Sequence, residues 1–121
     1  MKKTIVAIII IFCALNTNAQ NYKATYYHDK YDGRTTHSGE IFDQTKFTCA
    51  SCIHKFGTLL KVTNKKNGKS VIVKVNDDGP LGNYKIDLSR EAFKKIATLS
   101  EGVVPVTIEV IGFQTIKIKN K

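Results

Sequence analysis

The 121-residue chain lacks any apolar run long enough to span a bilayer. Its one uncharged stretch, Thr4 to Leu15, falls well short of the roughly 20 residues a membrane helix needs. It also lacks internal repeats, low-complexity tracts and a linker between periodic segments, which excludes solenoids and multidomain arrays and leaves at most one domain. Cysteine is scarce: Cys13, Cys49 and Cys52 are the only three, too few for a disulfide-rich scaffold. Acidic residues are few as well, 10 against 19 lysines and arginines, for a formal charge of +9.

The front of the chain reads as a targeting segment. In "MKKTIVAIIIIFCALNTNAQ" a basic start (Lys2, Lys3) precedes the apolar run, and a polar stretch with Thr17 and Ala19 supplies the small residues of a cleavage site. Residues 1–19 are therefore expected to be a signal peptide, and residues 20–121 the mature domain. Phe12, bulky and directly before Cys13, argues against a lipid anchor there. Export to the periplasm or cell envelope, with no stable membrane anchor, is the expectation. Loss of Lys2 and Lys3 lowers the formal charge from +9 to +7. A basic exported domain suits an anionic polymer such as cell wall better than nucleic acid, and it equally suits a surface that merely keeps the protein soluble.

The two remaining cysteines stand in "CASC". In an exported protein a Cys49/Cys52 pair is first a disulfide candidate, with free thiols as the alternative. Thioredoxin-like chemistry wants the first cysteine at a helix start, and "IHKFGTLLKV" reads instead as a loop and a strand. A structural zinc site could recruit His54, but no second ligand pair is spaced to complete four ligands. No metal and no cofactor are expected.

Short β-patterned runs dominate the rest. "YKATYY" reads as a strand, and "KYDGRTTHSGEIFD" is rich in turns at Asp32-Gly33 and Ser38-Gly39. "GTLLKVTN" and "KSVIVKVN" are strand-length and joined through Asn67-Gly68, a strong hairpin signal. Only "DLSREAFKKIATL" carries a helical period, with Leu88, Ala92, Phe93, Ile96 and Leu99 on one face and Asp87 or Ser89 to cap it. "VVPVTIEVIG" gives a late strand, and "FQTIKIKNK" either extends it or forms a basic tail. Short strands with one helix in about a hundred residues predict a mostly β protein, a small closed or nearly closed barrel.

Several motifs, taken in order, carry a resemblance: "ATYY" at Ala24, "GRTTHSGEIFD" from Gly33, "FGTLLKVTNKKNGKSVIVKVND" from Phe56, Gly79-Pro80, and "IDLSREAF" from Ile86. Over Tyr22 to Gly112 the chain resembles the rare lipoprotein A family of bacterial envelope proteins. The domain of that family is a double-psi β-barrel related to the first domain of expansins. The resemblance implies a six-stranded barrel with one short helix, probing peptidoglycan glycan strands as a monomer. The implied activity is endolytic lytic transglycosylation, which cuts the glycan between N-acetylmuramic acid and N-acetylglucosamine and leaves 1,6-anhydro ends. Such a reaction asks for one carboxyl rather than two, because the sugar's own 6-hydroxyl is the nucleophile. The Asp that follows Asn in the family's turn before Gly-Pro maps to Asp77, with Glu40 in support and Tyr26, Tyr27 and Asn76 as groove residues.

Two departures from that pattern matter. The position where the family usually carries an assisting His is Ser51, and a hydroxyl cannot carry an imidazole's positive charge. His54 is the first replacement candidate, and His28 and His37 come after it. Asp78 stands where the family usually has Arg, which puts a second anion beside Asp77 and removes donors that would grip a glycan. A non-catalytic, expansin-like wall-binding module is accordingly the alternative to the enzyme, and a protein-binding scaffold is a third reading.

Overall fold

The computed structural model describes residues 20–118, so the expected signal peptide lies outside the described residues. Six strands form the domain: β1 (Gln20–Tyr26), β2 (Thr48–Ala50), β3 (Thr58–Asn64), β4 (Ser70–Asp77), β5 (Lys85–Leu88) and β6 (Val104–Phe113). They close into a barrel in the order β1-β5-β2-β4-β3-β6. The pairs β1/β5 and β2/β4 are parallel and the remaining pairs antiparallel. Closure leaves no sheet edge to cover. One helix, α1 (Arg90–Ile96), packs against the barrel.

Alternation along the strands supplies the core. Val71, Val73 and Val75 of β4 point inward, as do Leu60 and Val62 of β3 and Val104, Val106 and Ile108 of β6, while Ile72 points out. Helix α1 adds Ala92, Phe93 and Ile96, all fully buried. The Asn67-Gly68 hairpin forms as expected, with Gly68 at φ 76° and its N–H donated to Asn64 O at 2.8 Å. Asn64, although polar, is buried because its amide donates to Ile96 O at 2.7 Å and so closes the helix C-terminus.

Strands β2 and β5 were not expected. With three and four residues, Thr-Cys-Ala and Lys-Ile-Asp-Leu carry too little period to be read alone. They are strands because each is paired on both sides: β2 lies between β4 and β5, and β5 between β2 and β1. The expected extension of "FQTIKIKNK" is partial, since β6 stops at Phe113 and 114–118 continue without regular structure.

One irregularity decides where the chemistry sits. On β2, Cys49 pairs with Val75 but Ala50 pairs with Asp77, so Asn76 is an extra residue in β4. Strict alternation after Val71, Val73 and Val75 would turn Asp77 into the core. The bulge restores it to the open end of the barrel, a common use of bulges beside functional sites.

The helix starts on Ser89, whose hydroxyl accepts the Ala92 N–H at 3.3 Å and donates to Lys46 O at 2.6 Å. Ser89→Ala removes a helix cap and a tie to the loop before β2. It is expected to lower unfolding free energy by about 1–2 kcal/mol, read as a reduced urea midpoint with unchanged slope.

Candidate active site

At the barrel's open end lies a cleft of about 410 Å³, lined among others by Tyr27, Arg34, His37, Asp77, Asp78 and Asp87. Asp77, the last residue of β4, has both carboxylate oxygens engaged. The Tyr27 hydroxyl donates to Oδ2 at 2.5 Å, and the His37 backbone N–H donates to Oδ1 at 3.1 Å. Tyr27 is itself fixed by stacking on Phe42, with ring centroids 4.2 Å apart, and by an edge contact to Tyr31. Burial, then the bond to Asp77, pushes the Tyr27 phenol far above its ordinary value, so it remains a donor. On the main chain, Ser51 N–H donates to Asp77 O at 3.0 Å and locks β2 to the end of β4.

A second carboxyl faces the same cleft. Ala50 is the register partner of Asp77 on β4 and of Asp87 on β5, so the two acids flank one small buried residue. Asp87 Oδ1 accepts the Thr25 hydroxyl at 3.0 Å. Burial raises the Asp87 carboxyl above its ordinary value and the charge of Asp77 adds to this, against the opposing Thr25 bond and Lys85 charge. The sequence offered Asp87 only as a helix cap. Its better signal was its place between two apolar residues, Ile86 and Leu88, where strand alternation turns the acid to the face opposite theirs.

The other expected site residues divide. Tyr27 is in the cleft, but Tyr26 is not: its ring packs on Phe93 at 4.8 Å and its hydroxyl donates to Leu99 O at 3.0 Å. Neighbouring strand residues point to opposite faces, so only one of two adjacent tyrosines can line one groove. Glu40 does not share the cleft with Asp77. It sits across the turn 36–39 in a separate depression of about 570 Å³ that also includes Lys74 and Asn76. Its Oε2 accepts Lys74 Nζ at 2.6 Å and Lys117 N–H at 2.7 Å, and its Oε1 accepts Asn76 Nδ2 at 2.9 Å. Glu40 and Asn76 are thus ties of the bulge beneath Asp77 and do not face the cleft themselves.

Ser51 is buried, its Oγ shares a hydrogen bond with the ring Nδ1 of His54 at 3.0 Å, and the same Oγ accepts the His54 N–H at 3.3 Å. Neither residue lines the cleft that holds the Asp77 carboxylate, whose oxygens are bonded by Tyr27 and His37 instead, so His54 as a replacement relay is corrected. Burial lowers the His54 imidazole, which favours its neutral form. The imidazole beside the cleft is that of His37, whose ring Nδ1 contacts Asp78 Oδ1. His28 only caps the short turn Asp29–Tyr31 through Lys30 N–H.

The expected disulfide is likewise corrected: Cys49 and Cys52 are free thiols. Cys49 points from β2 into the core, where burial and then the charges of Asp87 and Asp77 push its thiol far up. Cys52 is exposed on the following loop and donates to Gly82 O at 2.9 Å. The intervening strand end turns the two side chains apart. The two thiols therefore offer no shared ligand set for a metal.

Glu40 and Lys74 form a nearly enclosed ion pair, 9 and 12% exposed. Burial works to raise the Glu40 carboxyl, but the bonds from Lys117, Lys74 and Asn76 and the Lys74 charge lower it overall from its ordinary 4.5. A depressed folded value stabilises above the unfolded value and is lost as pH falls through the folded one. Wild-type thermal stability is thus expected to fall more steeply than that of Glu40→Gln as pH drops below 4.5. At neutral pH, Glu40→Ala leaves the Lys74 ammonium buried and is expected to cost about 3–5 kcal/mol.

Comparison with known proteins agrees with this architecture. A family model described as "Lytic transglycolase" matches residues 19–108. A probable endolytic peptidoglycan transglycosylase RlpA of Treponema pallidum is 45% identical over 86 residues, covering 70% of this chain and 27% of that protein. The endolytic peptidoglycan transglycosylase RlpA of Neisseria meningitidis is 43% identical over 93 residues, covering 76% of this chain and 39% of that protein. The chain therefore spans well under half the length of these relatives. Among solved structures, a Streptomyces papain inhibitor superposes with a TM-score of 0.67 at 27% identity, covering 78% of this chain and 96% of that one. A Clavibacter michiganensis expansin, solved with cellohexaose, shares the fold at a TM-score of 0.62 and 21% identity, over 78% of this chain and 51% of that one. With the closed six-stranded barrel and the matched residues together, the chain belongs to the lytic transglycolase family of double-psi β-barrels.

Proposed function

We propose that this domain is an endolytic peptidoglycan lytic transglycosylase of the cell envelope, delivered there by the segment 1–19. The observation that supports it most is the Asp77 carboxyl, oriented by two donors at the floor of an open cleft, in a chain of this family. In the reaction the bond from the anomeric carbon to the glycosidic oxygen breaks, and the electron pair stays on that oxygen. A carboxyl proton goes to the leaving oxygen. The 6-hydroxyl of the same sugar bonds to the anomeric carbon and returns its proton to the carboxylate. No water is consumed, and atoms and protons balance with a single carboxyl. The intramolecular hydroxyl already carries a high effective concentration, which removes the need for an enzyme nucleophile.

Asp77 is assigned the proton transfer, because Tyr27 and the His37 N–H fix its two oxygens while leaving it at the cleft surface. Asp87 stands beside it in surroundings that favour the protonated form. Glu40 and Asn76 act through the bulge as positioning residues. An open cleft, rather than an enclosed pocket, suits internal cleavage of a strand that enters and leaves on either side. The second reading, a wall-binding module without catalysis, draws on Ser51, whose hydroxyl is bonded to His54 and makes no bond to the Asp77 carboxylate.

Digestion of purified peptidoglycan glycan strands, with products read by mass spectrometry, separates the two. The wild type is expected to yield 1,6-anhydromuramic ends. Asp77→Asn should lower their rate of formation by at least about a hundredfold, and Asp87→Asn by less. If Asp87→Asn is the more damaging, the two carboxyls exchange roles. If the wild type binds strands but never forms anhydro ends, the binding module is the correct reading.

A further inference from the structure

We propose that His37, clamped through its ring by Asp78, is a positioning residue of the Asp77 carboxylate and the titrating cation of the cleft. This rests on the transglycosylase reading above. The arrangement starts from the turn "THSG". Thr36 N–H and Oγ1 both bond Glu40 O, at 2.8 and 2.9 Å, and Gly39 N–H returns to Thr36 O at 3.0 Å with Gly39 at φ 99°. The turn is tied at its base, so the His37 backbone N–H is held in place on Asp77 Oδ1. The same residue sends its ring to Asp78, and the His37, Asp77 and Asp78 polar atoms all lie within 4.8 Å of one another. Backbone and side chain of one residue therefore engage two adjacent carboxylates.

The charges around the cleft explain why an imidazole there matters. Asp77 and Asp78 come from the end of β4, and Asp87 from β5 with Lys85 behind it. Arg34, from the loop after β1, is the permanent cation of the cleft wall, and Tyr27 and Tyr31 are the neighbouring phenols. With His37 neutral, three carboxyls face one guanidinium. With His37 protonated, the ring balances Asp78. When the glycosidic bond breaks, the electron pair moves to the leaving oxygen, and excess negative charge nearby opposes that movement. The protonated ring relieves it.

The bond to Asp78 and its charge, followed by the charge of Asp77, raise the His37 imidazole above its ordinary 6.5. A raised folded value keeps the cation to higher pH than a free imidazole would and loses it as pH rises through that value. The ring itself is largely exposed, 72%, so its removal leaves the core untouched.

The test pairs two measurements on the same proteins. His37 ring titration is followed by NMR, and the pH profile of kcat/KM is measured on peptide-free glycan strands, for wild type, His37→Gln and Asp78→Asn. The ring should titrate above 6.5 in the wild type, with the alkaline limb of activity at the same pH. Asp78→Asn should move both to lower pH together. His37→Gln should abolish that limb and lower kcat roughly tenfold, less than the loss of an enclosed donor because the ring is solvated. A limb that stays while the ring value moves, or a His37→Gln variant with wild-type rate and profile, overturns the proposal. A wild type that forms no anhydro ends at any pH overturns the transglycosylase reading and this proposal with it, and is recognisable because no variant differs from wild type.

Discussion

The bulge at Asn76 is the constraint on which the site depends. Without it, the alternation that buries Val71, Val73 and Val75 would carry Asp77 inward, where an ionised carboxylate is costly. The extra residue has to be held, and it is held by Glu40, which joins Asn76 to Lys74 and to the main chain at Lys117. The acid that looked from the sequence like a member of the catalytic group is thereby a member of its foundation. Burial of such a network is favourable only when every charge is matched, and here the Glu40 oxygens accept three donors.

The barrel's order does the rest of the positioning. Because β2 is threaded between β4 and β5, the single small residue Ala50 brings Asp77 and Asp87 to the same cleft from strands that are not neighbours. Tyr27 enters from the end of β1 and His37 from the loop that follows, so two further segments converge on the Asp77 carboxylate. A substitution in β2 that enlarged Ala50 would press on both acids at once.

Much of the fold was readable in the chain. The hairpin at Asn67-Gly68, the one amphipathic helix with Ser89 as its cap, and the late strand behind Pro105 each follow from local chemistry. The short strands β2 and β5 were not, because three or four residues carry no measurable period and became strands only through partners on both sides. The same limit affected the site. Tyr26 and Tyr27 look alike in sequence, and only the direction of the strand sends one to Phe93 and the other to Asp77. Cys49 and Cys52 have disulfide spacing, yet the strand end between them turns one thiol into the core and the other into solvent.

The sequence by itself determined the class of the domain, its helix, its main hairpin and the carboxyl at the end of the "VNDDGP" strand. These depend on neighbours within a few residues, where periodicity and turn chemistry act. Which histidine stands beside that carboxyl, and which second acid shares its cleft, was decided only by tertiary structure. His37 is 40 residues from Asp77 along the chain, and the two meet because the closed barrel brings the loop after β1 over the end of β4.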